Sequence, residues 1–157
     1  MNMVASWQGM TEDIHYLEEE ELDRLLNLTK KNTMHACLFR LIYVYGLRVT
    51  EAITLKVDNL DLERKEILIT RVKRKDRFRT RPYPIDEETM KLVKQWLRKR
   101  AKHRAAKKGN PYLFLSNKSR SVEDHLSVPQ VQFIFRRYAR EAGINSKRGH
   151  VHVLRHT

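Results

Sequence analysis

One cysteine, Cys37, stands alone among 157 residues. No internal disulfide can form, which fits a reducing compartment. Glycine and proline are scarce, at 5 and 4, and no stretch is low in complexity. Collagen-like, linker-like and disulfide-stapled chains are thereby excluded. Apolar runs are short and broken by charge, so none is long enough to span a bilayer. The opening MNMVASWQGMTEDIHY lacks both a basic n-region and an apolar h-region, so no secretory signal is expected. There are no internal repeats. What is present suits one domain: 41% of residues are hydrophobic and 32% charged, enough for a core beneath a highly charged surface. The expected setting is the cytoplasm.

The charge is unevenly placed. Residues 1–63 hold 6 basic and 11 acidic side chains, residues 64–108 hold 18 and 5, and residues 109–157 hold 8 and 3. The middle segment alone is as positive as the whole chain, +13. A concentrated basic surface suits a polyanion, either nucleic acid or an anionic membrane. The membrane is the weaker choice. Met90, Val93, Trp96 and Leu97 in the basic segment follow the spacing of a core-facing helical stripe.

Periodicity predicts helices over Glu18–Lys30, Met34–Tyr45, Val49–Leu55, from Asp86 or Glu87 to about Lys107, and Val128–Ala142, with a last one starting near His152. Asn32 or Thr33 is placed to cap the second, and Gly46 and Gly143 to end the second and fifth. Ile67–Ile69 and Arg79–Ile85 read as two strands around a charged turn, Lys73–Arg77. Pro82 and Pro84 put the second strand at a sheet edge. Tyr112–Leu115 reads as a further short strand. The expected fold is mainly α with a small antiparallel β hairpin, an α+β domain.

Two arginine sites carry chemistry. In YGLRVTEAITLK, residues 45–56, Arg48 follows a glycine turn and opens a helix. A cation there opposes the helix dipole, so it does not serve helix stability. A forked guanidinium beside helix N–H groups suits a phosphate. In HVHVLRHT, residues 150–157, His152 and Arg155 share a helix face. His152 and His156 have a spacing that zinc could use. However, the glutamate of a zinc-protease motif and any nearby cysteine are missing, so no metal is expected.

The ordered set of motifs resembles the catalytic domain of tyrosine recombinases, the phage integrase and Xer-like family. The likeness runs from LEEEELDRLL (17–26) through YGLRVTEAITLKVDNLDLERKEILI (45–69) and VKRKDRFRTRPYPI (72–85) to HVLRHT (152–157). It implies a tyrosine-recombinase catalytic-domain fold over residues 17–157, after an N-terminal extension of residues 1–16, with no separate N-terminal core-binding domain. It implies site-specific DNA recombination or integration through a 3′-phosphotyrosyl intermediate, with neither cofactor nor metal. Double-stranded DNA and sister protomers, as a tetramer on DNA, would be the partners, with no membrane role.

The resemblance also implies roles for residues. Arg48 and Arg155 would bind the non-bridging oxygens of the scissile phosphate, and His152 would be the acid–base group beside it. The hairpin lysine that protonates the leaving 5′ oxygen would be Lys73, which precedes the KDR element, or alternatively Lys75. The family's usual GKGxKxR pattern is replaced here by VKRKDR. Glu51 and His156 would orient or buttress these groups, and Arg74, Arg77 and Arg79 would touch DNA. The family's nucleophilic tyrosine follows the second arginine box. Tyr16, Tyr43, Tyr45, Tyr83, Tyr112 and Tyr138 all precede it, so the sequence is expected to be a C-terminally incomplete catalytic domain, inactive alone and inclined to self-associate through uncovered apolar surface. The alternatives are a nucleophile-less DNA-binding module that occupies or regulates recombination sites, a topoisomerase of the same chemical class, or an unrelated basic nucleic-acid binder. An RNA reader would display stacking platforms, which a chain with 8% aromatics at core spacings does not suggest.

Overall fold

A computed structural model describes residues 16–74, 77–116 and 121–156, leaving aside the side chains of residues 72–74 and 156. Helix α1 (Glu19–Thr29) opens the domain, with three acidic residues in the first turn, where they complement the helix dipole. Helix α2 (Thr33–Tyr45) follows at once. The Asn32 side chain accepts from the His35 N–H and caps its start, and Gly46 ends it in the left-handed region at φ 59°. Ala36, Cys37, Leu38, Phe39, Leu41 and Ile42 are all buried, so α2 is the central helix.

Beyond Gly46 come helix α3 (Val49–Ile53), a 3-10 turn at Val57–Asn59, and a three-stranded antiparallel sheet. The sheet holds β1 (Leu60–Asp61), β2 (Glu66–Arg74) and β3 (Arg77–Pro84), in the order β1-β2-β3. Proline on β3 is tolerated because that strand is an edge. Helix α4 (Glu87–Arg100) packs on α2 through Met90, Val93 and Trp96. Each such side chain contributes about 1.5–3 kcal/mol by leaving water. The Trp96 Nε1–H donates to Leu113 O at 2.8 Å. Helices α5 (Arg104–Lys107) and α6 (Val128–Glu141), a 3-10 turn at Ser146–Arg148, and α7 (His152–His156) complete the domain. The α+β architecture is as the sequence implies. Among the described residues no helix is long and apolar enough to cross a membrane.

Three elements differ from the periodicity reading. The helix expected to run to Lys107 stops at Arg100. There the guanidinium turns inward to the carbonyls of Asn110 (2.6 Å) and Tyr112 (2.5 Å), and His103 Nδ1 caps a new helix by accepting from the Ala105 N–H at 3.0 Å. Tyr112–Leu115 is no strand. It makes one isolated bridge, Lys56 with Tyr112, because the neighbouring chain is a 3-10 turn. The hairpin strands run further than expected. Arg74 pairs with Arg77 and the register shifts between Val72 and Arg74, so the backbone of Lys73 lies at a bulge inside the strand rather than in a turn. A strand whose outer half is charged gives no hydropathy signal, so it reads as a loop.

Candidate functional site

The turn from α2 into α3 organises the site. Gly46 has positive φ, which glycine adopts at no steric cost. Leu47, 1% exposed, anchors the next residue in the core. Arg48 then begins α3 with its side chain about half exposed, at 48%. Its backbone N–H donates to Glu51 Oε1 at 2.7 Å, a charge-assisted bond that satisfies an otherwise unpaired helix N–H. Glu51 is sunk beneath the turn, its side chain only 3% exposed, and its Oε2 faces Arg48 Nη1 at 3.5 Å. That oxygen is buried without a hydrogen bond among the described residues.

Arg155 arrives from the other end of the chain. Val153 and Leu154 are fully buried and fix α7 against α2. The Arg155 Nε–H donates to Gly46 O at 3.0 Å. The two arginine boxes therefore meet at one turn, with Arg155 tied to the residue two before Arg48. His152 is exposed at the start of α7, three residues before Arg155. The preceding N–H, of Val151, donates to Gln132 Oε1 at 3.2 Å, so a side chain from α6 holds the entrance of this helix.

The hairpin supplies the third wall. Ile67 and Ile69 of β2 are buried. Strand alternation puts Arg71 on their face, with Arg79 opposite Arg71 and Arg81 opposite Ile69 across the ladder. The inner face thus passes from apolar to basic as the hairpin leaves the core. Arg77 and Arg79 are exposed. Lys75 and the side chains of Lys73, Arg74 and His156 lie outside what the structure describes. The structure brings Arg48, Glu51 and Arg155 together, puts His152 one helical turn from Arg155, and leaves Arg77 and Arg79 on the hairpin.

Arg71 was not anticipated. Its Nη2–H donates to Tyr45 O at 2.5 Å and its Nη1–H to Gly46 O at 3.3 Å. The only signal for it in the sequence is its place two residues beyond Ile69, on the buried face. Gln132 had no signal at all.

Two tyrosine hydroxyls are engaged in hydrogen bonds. The Tyr45 hydroxyl donates to Pro84 O at 2.8 Å, and burial pushes its pKa up to about 12. Tyr138 shares a 2.7 Å hydrogen bond with His35 Nδ1. Burial raises its pKa too, and burial lowers that of His35. Among the described residues no group of three or more His, Cys, Asp or Glu could hold a metal ion. The site is a set of fixed guanidinium groups around a buried carboxylate, able to grip an anion with two oxygens.

The sequence profile of the phage integrase family matches residues 15–157. Over 142 residues the chain is 32% identical to tyrosine recombinase XerA of Pyrococcus furiosus, a match covering 90% of this chain and 45% of that one. A crystal structure of XerA recombinase superposes with a TM-score of 0.73 at 27% identity, over 89% of this chain and 47% of that chain. XerH site-specific recombinase bound to difH substrate, in a pre-cleavage complex, gives 0.70 at 25%, over 91% and 41%. The chain spans less than half the length of each of these relatives.

Proposed function

Because the chain belongs to the phage integrase family, we propose that it forms the part of a tyrosine-recombinase catalytic domain that grips the backbone of duplex DNA at a site of strand exchange. Arg48 and Arg155 hold the two non-bridging oxygens of one phosphate. Strand cleavage develops charge on those oxygens, and donors already fixed in place stabilise it without reorganising. His152, at the rim, is placed to move a proton, for which an imidazole is suited near neutral pH. When a tyrosine hydroxyl supplied from outside these residues attacks phosphorus and the P–O5′ bond breaks, a hairpin lysine, Lys73 or alternatively Lys75, would give a proton to the leaving 5′ oxygen. Arg77 and Arg79, with Arg74, contact neighbouring phosphates, and His156 buttresses the helix.

The single observation that carries this reading is the meeting of the two arginine boxes at the Gly46 turn, over a carboxylate buried to 3% exposure. A carboxylate so placed holds guanidinium groups in one orientation. All six tyrosines precede the second arginine box, after which the family's nucleophile lies, and burial raises the pKa of Tyr45 and Tyr138. The chain as given therefore binds DNA without forming a covalent link. Paired protomers on DNA belong to the same proposal.

The test is binding of the 157-residue chain to a duplex across a salt series, together with a nicked suicide duplex to trap any covalent adduct. With roughly 6–8 phosphate contacts, log K should fall against log salt with a slope of about −5 to −7. Arg48→Gln and Arg155→Gln should each shallow that slope by about 0.9 and weaken binding about tenfold. Binding indifferent to salt sinks the proposal. An adduct from this chain overturns the statement about its tyrosines.

A further inference from the structure

Arg71 lies outside every sequence motif, yet four parts of the chain meet on it. Its two terminal nitrogens donate to Tyr45 O and Gly46 O. Nη1 stands 3.8 Å from Glu51 Oε1. Its Cζ sits 5.5 Å from the centre of the Tyr83 ring on β3, within cation–π range. Gly46 O is the acceptor it shares with Arg155. These carbonyls close the C-terminal end of α2, where backbone dipoles leave partial negative charge. A planar fork can bridge two carbonyls at once, which a single ammonium does less well. Both ends of the fork point inward, so Arg71 acts through its partners rather than on a ligand.

We propose that Arg71 is a positioning residue: by gripping Tyr45 O and Gly46 O it fixes the turn on which the Arg48 and Arg155 guanidinium groups stand, and so ties the hairpin to the phosphate clamp. This rests on the clamp reading of Arg48 and Arg155. With Arg71 gone, the turn loses its tether to β2 and Glu51 loses a neighbouring cation. Gly46 O is then free to shift, and Arg155 with it.

The test needs no DNA for its first readout. Solvent exchange of the Arg155 Nε–H is followed by NMR in the free 157-residue chain, comparing wild type, Arg71→Met, Arg71→Lys and Arg79→Gln. Arg79 faces Arg71 across the ladder and is exposed, so it controls for loss of charge. Exchange should quicken severalfold in both Arg71 variants and stay unchanged in Arg79→Gln, because local opening sets the rate. The Lys variant keeps the charge and covers the case in which the Met variant fails to fold. The second readout is a double-mutant cycle on duplex affinity. Arg71→Met should weaken binding about tenfold, yet add nothing on top of Arg155→Gln, while Arg79→Gln should add independently. Unchanged Arg155 exchange, or strict additivity with Arg155→Gln, overturns the proposal. If wild type fails to bind duplex, only the clamp reading falls, and the exchange data still decide the role of Arg71.

Discussion

Replacing Glu51 by alanine should destabilise the domain by about 3 kcal/mol. Its largest part is the bond from the Arg48 N–H to Oε1 at 2.7 Å, a charged bond worth about 1.5–3 kcal/mol. The ion pairs contribute less. Arg48 is 48% exposed, so its share is screened to about 0.2–1 kcal/mol. Arg71 is 26% exposed and 3.8 Å away, and desolvation of the buried carboxylate offsets much of that attraction. Glu51→Gln keeps an oxygen for the Arg48 N–H and should cost about 1 kcal/mol, the difference between a charged and a neutral acceptor. For a chain of this length each kcal/mol moves Tm by about 2–4 °C. Alanine should therefore lower Tm by roughly 6–12 °C and glutamine by roughly 2–4 °C. Calorimetry measures this, with urea unfolding to confirm an unchanged m-value. If alanine leaves stability within about 0.5 kcal/mol of wild type, the carboxylate does not hold the turn. If glutamine costs as much as alanine, charge rather than the backbone bond carries the weight.

Two further outcomes follow from groups away from the site. Arg148 grips Glu21 with bonds of 2.6 and 2.9 Å, and this holds the Glu21 carboxyl below its ordinary value against the opposing effect of burial. The bridge therefore contributes fully above the ordinary glutamate pKa of about 4.5 and is lost as pH falls through the lowered folded value. Arg148→Met should flatten the acid side of the stability–pH curve below about pH 4.5, and an unchanged acid limb in urea titrations would refute this. Cys37 is 1% exposed and burial raises its thiol pKa. A thiol reagent should thus label the native chain only at the rate of opening and label it at once in strong urea. Rapid labelling without denaturant would contradict the buried placement.

Much of the fold could be read directly from residues. Asn32 caps α2, and Gly46 and Gly143 have the positive φ their positions suggested. The stripe of Met90, Val93 and Trp96 is buried as its spacing implied. Local rules of this kind need only neighbours in sequence. The same rules missed the break after Arg100, because a guanidinium that turns inward to carbonyls ten and twelve residues away is indistinguishable in sequence from a solvated one. They also shortened the hairpin, because Arg71, Arg74 and Arg77 occupy strand positions where the sequence shows only charge.

The two arginine boxes, their order, the basic middle segment and the helices that carry them follow from the primary structure. Each of these is a property of residue type and spacing. Tertiary structure alone decided that both boxes meet at one glycine, and that Arg71 joins them. The meeting runs through backbone carbonyls, Gly46 O accepting from residues 25 and 109 positions away. A carbonyl is the same atom in every residue, so only the folded path of the chain determines which of them a guanidinium will find.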